Sequence, residues 1–278
     1  MHSMKLFISA DMEGISGIVD PTYIDPKYGV NYERGRRLMT DDVNAVVEAA
    51  VESGATEIIV TDSHSRMNNI LIEHLHPKAR LLSGSPRDHS MMQGLDSSFD
   101  AAFFIGYHTR HGVPGVLSHT MGRPIRNLYI NGRVMGEFGF NAVCAGLYGV
   151  PVCLVSGDNL VAEEAKELIP GIATAVVKYA HSRTSALCLA LEESRQELKQ
   201  KTKEALAKRA QLSPVNVQVP LTCKIEFSHA GEAEMAAIVP GSMYETGSSE
   251  VTFVAQNQSE LYRTMRAMLN LADTVQFT

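Results

Sequence analysis

Missing features narrow the possibilities first. No apolar run in the 278 residues approaches the ~20 needed to cross a membrane. Met1 to Leu6 carry no extended apolar segment of the kind found in secretory signals. A soluble, cytoplasmic protein with no membrane partner is expected. Met1 to Ser3 precede a second methionine, Met4, and are set aside from the fold reading. The four cysteines, Cys144, Cys153, Cys188 and Cys223, form no C-x-x-C pair, which excludes a zinc finger or dithiol redox motif and leaves packed, reduced thiols. No Lys/Arg cluster offers the dense cationic footprint that phosphate backbones require, and the formal net charge is -6. Nucleic acid is therefore not an expected partner, and a small neutral or zwitterionic ligand fits better. Internal repeats and low-complexity segments are also absent.

What is present is a globular chain, 45% hydrophobic, long enough for one large domain or two ordinary ones. Strand and helix signals alternate through its first two thirds. Glu57 to Thr61, Ala101 to Gly106 and Val150 to Ser156 are nearly unbroken apolar runs, the pattern of strands covered on both faces of a parallel sheet. A loop rich in Gly, Pro and Asp spans Gly14 to Gly29. Thr40 then reads as the N-cap of a helix ending before Gly54, with Val43, Val46, Val47, Ala50 and Val51 as its buried stripe. Asn127 to Val134 alternates around Asn131-Gly132, a hairpin-turn dipeptide, and a helix is expected over Asn141 to Tyr148.

A long polar helix from about Thr184 to Ala210 has a wide solvated face suited to bridging or flanking domains. Beyond it, Val215 to Val219, Thr222 to Phe227 and Glu250 to Ala255 read as strands, and Glu232 to Ile238 and Ser259 to Val275 as helices. The expected fold class is α/β: a mostly parallel sheet flanked by helices, with a smaller C-terminal α+β domain. Residues 1–190 would form the metal-binding catalytic domain and 191–278 the smaller one, with a part in oligomerisation.

Four apolar runs lead to candidate metal ligands. Lys5 to Ser9 reaches Asp11 and Glu13, Glu57 to Thr61 reaches His64, Ala101 to Gly106 reaches His108, and Asn127 to Val134 reaches Glu137. In open α/β sheets ligands gather beyond the carboxyl ends of the strands, so these side chains can converge there. Three carboxylates and two imidazoles suit a pair of zinc-like ions. Strand alternation would send Asp11 and Glu13 to the same side, and Asp62 is a candidate acceptor for fixing the His64 tautomer. Taken singly, each residue also has a structural reading: polar loop, turn, satisfied histidine, or first-turn helix carboxylate. Their joint placement at one sheet edge favours a metal site.

The residues Ser9-Ala10-Asp11-Met12-Glu13-Gly14 match an S-x-D-x-E-G signature. Further blocks follow in order: Asn31 to Gly35, Asp62 to Ser65 with Met67 to Asn69, Gly106-Tyr107-His108, Pro114 to Val116 with Ser118-His119, and Gly136-Glu137 with Gly139 and Asn141. In these, from about Met4 to the C-terminus, the chain resembles the zinc-dependent D-aminopeptidases of the DppA type, peptidase family M55.

The resemblance implies two Zn2+ per subunit. Asp11 would bridge them, Glu13 and His64 would complete one site, His108 and Glu137 the other, and His119 would be the catalytic histidine, acting as base or nucleophile. It further implies hydrolysis of short peptides with an N-terminal D-residue, such as D-Ala-D-Ala, and a homodecamer of stacked pentamers around an enclosed chamber. Stereochemical preference lies in pocket shape that no motif encodes, so a metal-dependent L-aminopeptidase or amidase is the alternative. A metal-stabilised protein without turnover is a third reading. His111, with Arg110 beside it, is a departure that could alter substrate choice or compete as a ligand. His74 and His76 fit surface or packing roles, and His2, His89, His181 and His229 carry no supporting pattern.

Overall fold

The computed structural model describes residues 4–275, so Met1 to Ser3 lie outside it, and the expected final helix, Ser259 to Val275, lies within it. The described residues form twelve strands and six α-helices, with four short 3-10 turns between them. They run β1 (Met4–Ala10), α1 (Val30–Glu52), β2 (Ala55–Asp62), β3 (Ala79–Leu82), β4 (Ala101–Ile105), β5 (Ile125–Ile130), β6 (Arg133–Met135) and α2 (Glu137–Leu147). There follow β7 (Val152–Asp158), α3 (Asn159–Leu168), β8 (Ala173–Ser182), β9 (Ser185–Cys188) and α4 (Leu191–Lys208). The chain closes with β10 (Leu221–Phe227), α5 (Ala230–Ala236), β11 (Met243–Tyr244), β12 (Glu250–Ala255) and α6 (Gln258–Ala272).

Seven strands form one sheet in the order β3-β2-β1-β4-β7-β8-β9, parallel except for the edge hairpin β8-β9. Five form a second, antiparallel sheet in the order β11-β12-β10-β5-β6. This is the expected α/β class. The continuous apolar runs are explained by burial on both faces: Leu6, Ile8 and Ala10 join Phe103 and Ile105 in the core beneath α1 and α4, while Phe7 and Phe104 face the core shared with α2, α6 and the second sheet. On α1, Val43, Val46, Val47 and Ala50 are fully buried, as their helical spacing predicts. Ion pairs Arg195 to Asp41 (2.7 Å), Lys199 to Glu48 (2.8 Å) and Lys203 to Glu52 (2.7 Å) line the seam between α4 and α1. The long polar helix therefore flanks the large sheet.

The layers interleave in sequence. The second sheet takes β5 and β6 from before residue 190, and α4, after it, packs on the first sheet. Several elements differ from expectation. Helix α1 starts at Val30, and Thr40 lies inside it, where its hydroxyl donates to the Arg36 carbonyl one turn back (2.8 Å) instead of capping. Helix α2 starts at Glu137, four residues before Asn141. The segment from Thr184 forms β9 before α4 begins at Leu191, because the polar alternation there pairs along the sheet edge. Val215 to Val219 pairs with no strand; Val215 and Val217 only pack against the core. No helix among the described residues is long and apolar enough to cross a membrane.

Candidate metal centre

The order of the large sheet sets the site's position. From β1 the chain builds outward through β2 and β3 on one side, then returns to β4 and builds through β7 and β8 on the other. The switch point is the crevice between β1 and β4. Asp11 and Glu13 follow β1, His64 follows β2, and His108 follows β4. The run leading to Glu137 is not a fourth strand of that sheet: the β5-β6 hairpin belongs to the second sheet, and Glu137 enters from above as the first residue of α2. There the helix dipole favours its negative charge. Asp11 and Glu13 lie in a turn beyond the end of β1, so a tight turn and not strand alternation brings both carboxylates inward.

Two glycines make that turn possible. A side chain on Gly14 would fall within the backbone of Gly106 and Tyr107, and one on Gly106 would strike the Asp11 carbonyl and Ile15. Gly106 also sits at φ +74°, a conformation glycine adopts freely. In their absence of bulk, the Gly14 N–H donates to the Gly106 carbonyl (2.7 Å) and the Asp11 N–H to that of Ile105 (2.8 Å), so the turns after β1 and β4 lie in contact.

All six expected residues meet over the crevice. Nδ1 of His64 lies 3.1 Å from Asp11 Oδ1 and 3.1 Å from Glu13 Oε2. Nε2 of His108 lies 3.5 Å from Asp11 Oδ2 and 3.3 Å from Glu137 Oε1. The two oxygens of Asp11 thus face two different imidazoles. His119 stacks on His108, ring centroids 4.2 Å apart, with its Nε2 3.4 Å from Glu137 Oε1 and 4.0 Å from Glu13 Oε1.

Each histidine has one nitrogen already committed to a backbone carbonyl. His64 Nε2 donates to Ile24 O (2.9 Å), His108 Nδ1 to Thr109 O (2.9 Å) and His119 Nδ1 to Leu117 O (3.0 Å). A neutral ring so held presents a lone pair from its other nitrogen, and in all three that nitrogen points at carboxylate oxygens. Acceptors facing acceptors require a proton or a cation between them. His108 Nε2 is a buried nitrogen with no hydrogen-bond partner of good geometry. The donor set, imidazole nitrogen and carboxylate oxygen, is the one zinc takes. The clusters Asp11, Glu13, His64 and Asp11, His108, Glu137 each bring three ligand atoms within 4.8 Å of one another, as does Glu13, His108, His119.

Without a metal, protons fill the role. Burial opposes charge on His64, but Glu13 and Asp11 outweigh it and hold the imidazolium well above the usual range. His108 behaves likewise: burial is outweighed by Glu137 and Asp11. Burial would raise Glu13 and Glu137, yet His64 and His108 respectively pull them below the usual range. Asp11, pushed by burial and by Glu13, rises.

Outside the cluster, Asp62 does not touch the His64 ring, because Ile24 O occupies that place. It accepts from the N–H groups of Asn69 (2.5 Å) and Ile70 (2.7 Å) and from Asn69 Nδ2 (2.8 Å), and Asn69 Nδ2 also reaches the His64 carbonyl (2.7 Å). Tyr32 and Arg36 of α1 bind Asn69 in turn. Leu117 and Met121, at φ +54° and +59°, hold sterically restricted left-handed backbone on either side of His119. The Met121 N–H donates to Glu137 Oε1 (2.7 Å). Sequence reasoning missed Lys178, buried within β8, whose one signal was a lone lysine in the apolar run Thr174 to Ala180. A cleft of about 750 Å³ opens above, with Glu13 and His119 at its floor and His111, His181, Arg123 and Arg183 among its walls. His111 lies on that wall but joins none of the ligand clusters.

A doubly wound sheet with clustered imidazoles and carboxylates over its switch point has the architecture of a metal-dependent hydrolase. The chain belongs to the D-aminopeptidase family, peptidase family M55, whose model matches residues 4–267. A D-aminopeptidase of Bacillus subtilis (strain 168) is 45% identical over 274 residues, spanning 99% of this chain and 100% of that relative. The solved structure of the Zn-dependent D-aminopeptidase DppA from Bacillus subtilis, described as a self-compartmentalizing protease, superposes with a TM-score of 0.97 at 45% identity, over 99% of this chain and 100% of that one.

Proposed function

We propose that this protein hydrolyses short peptides bearing an N-terminal D-residue, such as D-Ala-D-Ala, at a binuclear zinc centre. Asp11, Glu13 and His64 would hold one Zn2+, and Asp11, His108 and Glu137 the other. The observation that carries this reading is the opposition of committed histidines and buried carboxylates, with the two Asp11 oxygens directed to separate imidazoles. When bound, a zinc pair polarises a scissile carbonyl and brings a water's pKa toward neutrality.

His119 handles the proton. Its side chain is 29% exposed, against 9% or less for His64 and His108, so it faces the cleft where a substrate lies. With Nδ1 donating to Leu117 O, Nε2, which faces Glu137 and Glu13, is the nitrogen that would accept a proton from the attacking water and return it to the leaving amine. Arg123 and Arg183 on the cleft wall suit the carboxylate of a short peptide. The self-compartmentalizing relative, covered along its whole length, supports assembly as a homo-oligomer.

The test is the initial rate on D-Ala-D-Ala and L-Ala-L-Ala with zinc-loaded protein and a chelated blank. Metal-dependent turnover of the D form alone supports the reading. Preference for the L form points to the L-aminopeptidase alternative, and two bound metals without turnover on either would mean that the substrate is not a short D-peptide.

A further inference from the structure

The turn that carries Asp11 and Glu13 has no regular secondary structure, yet Asp11 to Ser16 is buried throughout. Its carbonyls cannot turn to water, so something inside must satisfy them. Lys178 does. It reaches across from β8, is fully buried, and its Nζ donates to the carbonyls of Glu13 (2.6 Å), Ile15 (2.9 Å) and Ile18 (2.5 Å). An ammonium has three N–H groups, and all are used. From the other side, Asp42 on α1 accepts the Ser16 N–H (2.9 Å), while Gly14 N–H binds Gly106 O (2.7 Å). Burial pulls the ammonium down to about 8, and Asp158 and Asp42 are nearby carboxylates that partly counter it.

We propose that Lys178 is the positioning residue of the metal centre: it orders the turn from Asp11 to Ile18 before any metal arrives, and so presents Glu13 to the cation. Three carbonyl dipoles pointing inward repel one another, and a cation at their focus is what makes their convergence stable. The first of the three belongs to Glu13 itself, so the lysine fixes the backbone from which a ligand side chain springs. A residue serving only to fill space would need no charge there. This inference rests on the reading of Glu13 as a ligand.

Amide hydrogen exchange on the metal-free wild-type protein is the first test. The turn should already be protected, with rates at Met12 to Ser16 within about threefold of those in the zinc-loaded protein. Protection that appears only with zinc would overturn the proposal, since the metal would then be the organiser. The second test is Lys178→Met, which keeps length and loses the donors. Its zinc dissociation constant should weaken by roughly tenfold or more, with faster exchange in the turn and kcat falling more than KM rises. A folded Lys178→Met protein with wild-type zinc affinity and exchange would also overturn it. Should that variant not fold, Lys178→Gln, which keeps two N–H donors, takes its place, and the wild-type exchange result decides in any case. Failure of the wild-type protein to bind zinc would instead reject the proposed function, while exchange in the turn still tests Lys178.

Discussion

A histidine with one nitrogen held by a carbonyl and the other aimed at carboxylates can be satisfied only by a proton or a metal. In the metal-free protein the raised His64 and His108 and the lowered Glu13 and Glu137 form charged pairs. The carboxylate contribution to stability is present above the unfolded value near 4.5 and lost as pH falls through the lowered one; the histidine contribution is full below 6.5 and lost as pH rises through the raised one. Zinc must displace those imidazole protons, so its affinity should rise with pH and binding should release protons at pH 7. Calorimetry in buffers of different ionisation enthalpy counts them, and a count of zero would show the histidines neutral beforehand. His119→Ala should lower kcat by roughly 10²- to 10⁴-fold while zinc content stays at the wild-type value. Loss of one zinc together with activity would make His119 a ligand alongside Glu13 and His108. These six residues were legible from sequence because each stands at the end of an apolar run or inside a family block. The carbonyl of Ile24, which fixes the His64 tautomer, was not, because a backbone acceptor leaves no side-chain trace.

Among the elements, the parallel strands were readable because burial on both faces leaves an unbroken apolar run, as in Ala101–Ile105. The start of α1 was not. Its first turns carry polar residues and Gly35 and pack on the loop from Pro21 to Tyr28, so the run of small apolar residues at helical spacing begins only at Val43, one turn after the buried Met39. The same limit hid the source of Glu137. Its preceding hairpin is readable in sequence, but only the pairing of β5 with β10 reveals that it belongs to a second sheet. The contact between the turns after β1 and β4 gives a prediction at this scale. Gly14→Ala places a methyl group within the backbone of Gly106 and Tyr107, which cannot swing aside as a side chain could. Separation of the two turns should cost about 1–3 kcal/mol and pull Asp11 away from His108, so thermal stability and zinc affinity should fall together. A variant that lost stability but bound zinc as wild type would mean that the crevice tolerates the separation.

At the scale of the molecule, both layers converge on the crevice, since β1, β2 and β4 supply four of the candidate ligands and α2 joins the second sheet's hairpin to the fifth. Zinc held by these candidate ligands would link the two layers and so favour the folded form. At a free zinc concentration 100 times the dissociation constant, linkage adds about 2.7 kcal/mol, so chelation should lower Tm and zinc restore it. A Tm indifferent to chelator would place the metal elsewhere or nowhere. The assembly is the step that sequence physics could not supply, because a symmetric interface depends on the shape of a whole face. Large apolar side chains stand exposed on several separate elements: Val30 on α1, Ile72 beyond β2, Leu187 on β9 and Ile238 beyond α5. One two-fold patch does not readily cover so many elements, whereas stacked rings use contacts of more than one kind. If the decamer that the family resemblance implies forms, light scattering should give ten times the 30.4 kDa chain mass. If the clefts then open into an enclosed chamber, length selection follows from access alone: D-Ala-D-Ala should turn over, while a folded polypeptide carrying an N-terminal D-alanine should survive. A monomer that cleaves both would remove the chamber from the account and leave the selection to the cleft walls around Arg123 and Arg183.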